Sequence, residues 1–144
     1  MKILKNKYPQ LKAHLFGTTR RPKFLPQWIS YTQSASAKQL RSIYNNSAIF
    51  LYNTIVEGFG LTGAEAMACG CAYISSNYLG VHEYTEDGRN VVLYEPKNVE
   101  SLVEKVSSLI ENNDLRIKIA KQGCEDIHVL DWAVQVKLFE QALV

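Results

Sequence analysis

Cysteine is scarce in this chain: Cys69, Cys71 and Cys124 are odd in number and lack the paired spacing of metal ligands. They read as reduced, mostly buried small side chains, which excludes a zinc framework and a disulfide scaffold. An excess of one charge is also missing. The formal net charge of +2 is too small to build the basic surface that nucleic acid requires, so no nucleic-acid partner is expected. No apolar run is long enough to cross a bilayer, and no signal-peptide core follows the opening MKILKNKYPQ, which makes a cytoplasmic location the default expectation. Internal repeats, low-complexity tracts and linkers are absent as well.

What is present is the composition of an ordinary folded domain, 144 residues with 47% apolar and 21% charged side chains. Residues 1–144 are of the length expected for one globular domain. Apolar, β-branched or aromatic runs of strand length recur at residues 12–16, 27–31, 48–52, 71–75 and 91–94, each closed by polar, Gly or Pro residues. Helical patterns fill residues 37–45, 63–69, 99–112, 114–127 and 131–142. Ser36, Thr62, Asn98, Asn113 and Asp131 stand where capping side chains would satisfy the first N–H groups of those helices. Strand alternating with helix predicts an α/β fold, a Rossmann-like parallel sheet flanked by helices, and the runs IFLY and CAYIS suit strands buried on both faces. Residues 17–26, GTTRRPKFLP, read as a surface connection whose Arg20, Arg21 and Lys23 are solvated. The opening KILKNKYP resembles the end of a helix with a Pro stop, as if a preceding strand lay outside the chain.

The stretch VEGFGLTGAEAMACGC, residues 56–71, carries the chemistry. It leaves the strand at 48–52 on the carboxyl edge of the sheet, where open α/β folds bind ligands. Gly58 and Gly60 allow close backbone approach, and the helix that follows turns unpaired N–H groups and its positive end outward. An anion suits that position. No Gly-Lys-Ser/Thr follows, so this is not a nucleotide P-loop. Gly58-x-Gly60-x-x-Gly63 matches the dinucleotide pattern by letter, yet it follows a loop bearing Glu57 and lacks the acid at the end of a second strand.

Glu57 and Glu65, eight positions apart, need other roles than holding phosphate. A carboxylate about 4 Å from a phosphate at an effective dielectric of about 20 costs roughly 4 kcal/mol, more than the roughly 0.3–2 kcal/mol a helix end returns. Carboxylates do accept hydrogen bonds from sugar hydroxyls. A ligand with hydroxyls on both sides of a diphosphate, a nucleotide sugar, therefore fits. A plainer account stays open: Thr62-x-x-Glu65 has the form of a capping box, and Glu57 has the form of a solvated loop residue.

The order Glu57-Gly58-Phe59-Gly60-Leu61 followed by Glu65-Ala66-Met67-Ala68-Cys69-Gly70 resembles the Glu-x7-Glu pattern of retaining glycosyltransferases of GT-B architecture, family 4 (glycosyl transferases group 1) in particular. The likeness extends from Leu40–Tyr44 and Ala48–Leu51 through Ser75, Gly80, Glu83, Asp87-Gly88 and Pro96, and covers about residues 36–123. It implies the C-terminal, donor-binding half of such an enzyme, lacking its first βα unit. By the same resemblance Glu57 holds the hexose, Glu65 the ribose, and Gly58, Phe59, Gly60, Leu61 and Thr62 the sugar and diphosphate, while Tyr31 and its neighbours to Gln33 lie near the base. The partners implied are a nucleoside diphosphate sugar as substrate and an acceptor glycan, lipid or protein bound by an N-terminal domain outside this chain. Peripheral membrane association of a full-length enzyme is compatible with this.

The reaction implied is hexosyl transfer with retention, in polysaccharide or glycoconjugate synthesis, with no separate cofactor. No Asp-x-Asp motif occurs, so no divalent metal is expected at the centre, and the chain alone is expected to be inactive. Three departures from the family pattern stand out. Asn53-Thr54 replaces the usual Pro-Ser, Leu79-Gly80 replaces Gly-Gly, and the basic residues that neutralise the diphosphate belong to the first βα unit. Alternatives are a GT-B epimerase or phosphorylase, or a degenerate domain of this fold acting as an interaction or regulatory module. His82 reads as a loop histidine without a special role. Trp132, Val136 and Phe139 on the last helix either pack on the core or meet a partner domain.

Overall fold

The computed structural model describes residues 1–143. The chain forms two compact units, Met1–Asn46 and Ser47–Val144.

In the first unit a short helix, α1 (Lys2–Lys7), precedes two parallel strands, β1 (Ala13–Gly17) and β2 (Ile29–Gln33), and a second helix, α2 (Ala37–Asn45). The strands pair from Ala13 with Ile29 to Gly17 with Gln33. Lys5 Nζ closes the end of α1 by donating to the Pro9 and Leu11 carbonyls at 2.6 and 2.8 Å. Arg21, exposed as expected, also ties the connecting loop together by donating to the carbonyls of Ile29 and Pro26, each at 2.8 Å. Ser36 starts α2 with a full capping box, its hydroxyl accepting from Gln39 N while the Gln39 side chain receives Ser36 N–H.

The second unit holds three parallel strands in the order β3 (Ile49–Tyr52), β4 (Ala72–Ser76) and β5 (Val92–Tyr94). Central β4 is the run read as CAYIS, and residues 71–76 are all fully buried, as a strand covered on both faces must be. Its serines are satisfied internally: Ser75 Oγ donates to the Ser76 carbonyl at 3.0 Å, and Ser76 Oγ donates to the Thr54 carbonyl at 2.6 Å. Helix α3 (Leu61–Ala68) crosses from β3 to β4 and buries Gly63, Ala64, Ala66 and Met67. Gly70 ends it at φ +78°, with Gly70 N–H bonded to the Met67 carbonyl and Cys71 N–H to that of Ala66, a Schellman closure that only a left-handed residue permits cheaply.

Helices α4 (Val99–Glu111), α5 (Asn113–Asp126) and α6 (Trp132–Ala142) complete the unit. Asn98 and Asp131 cap α4 and α6 as expected, whereas α5 is capped by Asn112 rather than Asn113. The core gathers Met67, Tyr73, Val81, Val91 and Ile127. Trp132, Val136 and Phe139 do not join it. They are exposed, Trp132 by 82%, and no residue of α6 is buried. Among the described residues, no helix is long and apolar enough to cross a membrane.

Candidate functional site at the carboxyl edge of the second unit

The segment that leaves β3 is fixed at its root. Thr54 N–H donates to Ser76 Oγ at 3.1 Å, and Tyr94 at the end of β5 donates to Asn53 Oδ1 at 2.8 Å. Glu57 follows, half-buried. Its carboxylate accepts from the Tyr52 phenol at 3.0 Å through Oε2 and from the Gly58 N–H at 2.9 Å through Oε1. A loop glutamate merely facing solvent would not be held at both oxygens. Burial, and then the hydrogen bond to Glu57, raise the pKa of Tyr52, so the phenol keeps its proton and its role as donor.

Beyond Glu57 the backbone is gripped by tyrosines. Tyr78 Oη donates to the Phe59 carbonyl at 3.2 Å, and Tyr84 Oη donates to the Gly60 carbonyl at 3.0 Å. Both hydroxyls lie 3.5 Å from that of Tyr73, and the Phe59 and Tyr84 rings pack at 4.7 Å between centroids. Burial pushes the phenols of Tyr73 and Tyr84 well above the ordinary tyrosine range. Gly60 sits at φ +84°, where a side chain is strained and where a Cβ would overlap the Tyr78 hydroxyl.

This geometry corrects the expected helix start. Gly60, not Thr62, is the N-cap, and no side chain caps the helix. Gly60 carbonyl accepts from Gly63 N–H at 2.8 Å. The capping-box alternative for Thr62 and Glu65 therefore fails. Thr62 Oγ1 is buried without a hydrogen-bond partner. Gly58 and Leu61 are exposed, Phe59 is half-buried, and Glu65 is exposed one turn into α3. The first turn of α3 thus presents N–H groups without a capping side chain, next to a fixed carboxylate, an arrangement that suits an anionic, hydroxyl-bearing ligand.

The remaining expectations divide. Tyr31 lies in the first unit, where its hydroxyl donates to the Thr19 carbonyl at 2.5 Å. His82 sits in a single 3-10 turn, Leu79–Glu83, and meets Asn77 Oδ1 at 2.8 Å. None of the three cysteines forms a disulfide, and only Cys71 is buried, its thiol pushed up to about 12 by burial and then by Cys69. Cys69 and Cys124 are partly exposed, unlike the expectation of mostly buried residues. Among the described residues no three His, Cys, Asp or Glu side chains gather as metal ligands would. The tyrosine cluster had no place in the sequence expectation. Its one visible signal is that five of the eight tyrosines fall within residues 52–94.

Residues 1–126 match the family described as glycosyl transferases group 1. An N,N'-diacetylbacillosaminyl-diphospho-undecaprenol alpha-1,3-N-acetylgalactosaminyltransferase from Campylobacter jejuni is 33% identical over 84 residues, covering 58% of this chain and 22% of that enzyme. The chain thus spans about a fifth of that relative's length. Among solved structures, the C-terminal domain of a glycosyl transferase group 1 family protein from Francisella tularensis superposes with a TM-score of 0.75 at 30% identity, covering 90% of this chain and 74% of that one. The Anabaena protein HepE, solved in complex with UDP and glucose, shares the fold with a TM-score of 0.71 at 19% identity, covering 82% of this chain and 32% of its own.

Proposed function

Because the chain belongs to the glycosyl transferases group 1 family, we propose that its second unit carries the donor site of a retaining glycosyltransferase that moves a hexose from a nucleoside diphosphate to an acceptor hydroxyl. One observation carries this most directly. Glu57 is held at both carboxylate oxygens, by Tyr52 and by Gly58 N–H, immediately before a left-handed glycine that opens an uncapped helix. A carboxylate so fixed can accept hexose hydroxyls without swinging onto the phosphates. Glu65, on the exposed side of α3, takes the ribose hydroxyls. Gly58, Phe59, Gly60, Leu61 and Thr62 line the diphosphate between them. The binding of UDP and glucose by HepE, a protein of the same fold, agrees with this choice of ligand.

Glycosyl transfer with retention is limited by departure of the diphosphate. Fixed donors on the leaving group therefore matter most, each worth on the order of 2.7–4 kcal/mol in the transition state. The N–H groups at the start of α3 supply part of that stabilisation. Glu57 positions the sugar. Basic side chains on the diphosphate and the acceptor-binding domain complete the active enzyme, which acts in polysaccharide or glycoconjugate synthesis. Titrating the chain with UDP, GDP and dTDP sugars while following backbone amides by NMR tests the assignment. Shifts concentrated at Gly58–Glu65 are expected; silence there at millimolar nucleotide would refute it.

A further inference from the structure

The tyrosines beneath the glycine loop do more than fill space, and the direction of two peptide groups shows how. No peptide bond among the described residues is cis, and across a trans peptide the C=O and N–H point in opposite directions. The Phe59–Gly60 peptide gives its oxygen to Tyr78 at 3.2 Å. Its N–H, that of Gly60, is thereby turned the other way. The Gly60–Leu61 peptide gives its oxygen to Tyr84 at 3.0 Å and to Gly63 N–H at 2.8 Å, which turns the Leu61 N–H away in the same manner. Because both phenols sit 3.5 Å from the Tyr73 hydroxyl, the two carbonyls converge on one side of the loop. The two N–H groups therefore share the opposite side of the loop; Leu61 is 69% exposed and Gly60 is buried.

We propose that Tyr78 and Tyr84 are positioning residues for the donor's diphosphate: their hydroxyls hold the Phe59 and Gly60 carbonyls inward so that the Gly60 and Leu61 N–H groups face the phosphate oxygens. This rests on the donor-site assignment above and adds to it the residues that orient the backbone donors. Peptide flipping is the alternative that the phenols suppress. A flipped Phe59–Gly60 or Gly60–Leu61 peptide would present a carbonyl oxygen to a phosphate, repelling the ligand where it should be held. The raised pKa of the half-buried Tyr84 phenol keeps it a donor throughout the physiological range. Tyr73 serves as the shared neighbour that keeps the two hydroxyls adjacent.

The test removes single hydroxyls and keeps the rings. Wild type, Tyr78→Phe, Tyr84→Phe and, for comparison, Tyr44→Phe, which alters a buried tyrosine of α2, are titrated by NMR with UDP, GDP and dTDP and with each free nucleoside. Thermal midpoints are measured in parallel. The expected result is that diphosphate affinity falls on the order of tenfold in Tyr78→Phe and Tyr84→Phe, while nucleoside affinity holds, and that Tyr44→Phe leaves the ratio unmoved. A purely structural role would lower the thermal midpoint and leave the ratio of diphosphate to nucleoside affinity at its wild-type value. If wild type binds a diphosphate and that ratio is unchanged in both loop variants, the positioning role is overturned. If wild type binds none of the three, the donor-site assignment falls first and takes this one with it.

Discussion

The backbone of Gly80 lies directly against the carbonyl of Gly58: a Cβ built on Gly80 would overlap the Gly58 carbonyl oxygen and come within 2.9 Å of the Glu57 backbone carbonyl oxygen. The 3-10 turn Leu79–Glu83 that follows β4 therefore braces the loop that carries the first glutamate. Only a residue without a side chain allows the two backbones to approach this closely. Of the pair Leu79-Gly80, the one that must be glycine is the second, and Leu79, 90% exposed, is free to vary.

Replacing Gly80 by alanine should be far more damaging than replacing its neighbour. The obstacle is backbone, so no rotamer change can relieve it. Urea unfolding should show Gly80→Ala destabilised by about 1–3 kcal/mol, with amide shifts spread through Glu57 and Gly58. Leu79→Ala should stay within about 0.5 kcal/mol of wild type. Equal stability of the two variants would mean that the loop does not rest on Gly80.

Glu57 and Glu65 should separate by ligand. Glu65→Gln removes a charged acceptor proposed for the ribose and should weaken plain nucleoside diphosphate on the order of tenfold. Glu57→Gln should leave nucleoside diphosphate binding close to wild type and instead blunt discrimination between sugars in the complete enzyme. Calorimetry with UDP, GDP and dTDP on both variants checks this. Matching losses on nucleotide alone would contradict the division of roles.

Much of this fold is legible in the residues themselves, for identifiable reasons. CAYIS announces β4 because a strand covered on both faces has no polar face to alternate with, whereas IFLY, equally apolar and read as buried on both faces, forms β3 with all four residues only half-buried. Ser36 with Gln39, and Gly70 after the last turn of α3, mark helix ends because capping chemistry is local. The start of α3 is less legible: Thr62-x-x-Glu65 carries the letters of a capping box, but left-handed Gly60, its carbonyl already held by Tyr84 and by Gly63 N–H, begins the helix earlier. The 3-10 turn at Leu79 is too short to show a period. The tyrosine cluster is least legible of all. Tyr78 and Tyr84 bond to backbone carbonyls, so no partner residue type appears in the sequence to betray the pairing.

Gly60 makes the conformational and steric costs separable. Its φ of +84° strains any side chain, and a Cβ would also overlap the Tyr78 hydroxyl. Gly60→Ala should therefore lose stability from both sources, the left-handed backbone alone costing about 1–2 kcal/mol. In a Tyr78→Phe background the overlap with the hydroxyl disappears, leaving tight contacts of 3.2 and 3.3 Å with the Phe ring carbon and the Tyr84 hydroxyl, and the strain stays. The substitution should then cost measurably less, and a thermodynamic cycle over the four proteins gives the coupling. Strict additivity would show that the hydroxyl does not oppose the added methyl.

Acid should weaken the second unit partly through Asp126. Burial by itself would raise this carboxyl, but Gln122, Asn90 and Arg89 outweigh it and hold the pKa below the ordinary aspartate value. Gln122 Nε2 and Arg89 bond one oxygen at 2.9 and 2.8 Å, and Asn90 Nδ2 bonds the other at 2.8 Å. Asn90 is itself 2% exposed and holds the Glu86 N–H at 2.8 Å through its Oδ1, so the network ties the end of α5 to the turn before β5. Because the folded pKa is depressed, the charged form stabilises the fold above the unfolded aspartate pKa of about 3.9. That contribution fades as pH falls through 3.9 toward the lower folded value. The Arg89 pair is half-exposed at 47% and adds little beyond its hydrogen bonds. Asp126→Asn should therefore reduce stability at pH 7 by roughly 1–3 kcal/mol and flatten the loss of stability between pH 5 and the acid limit, both read from urea midpoints across pH. A variant whose acid dependence parallels that of wild type would remove Asp126 from the account.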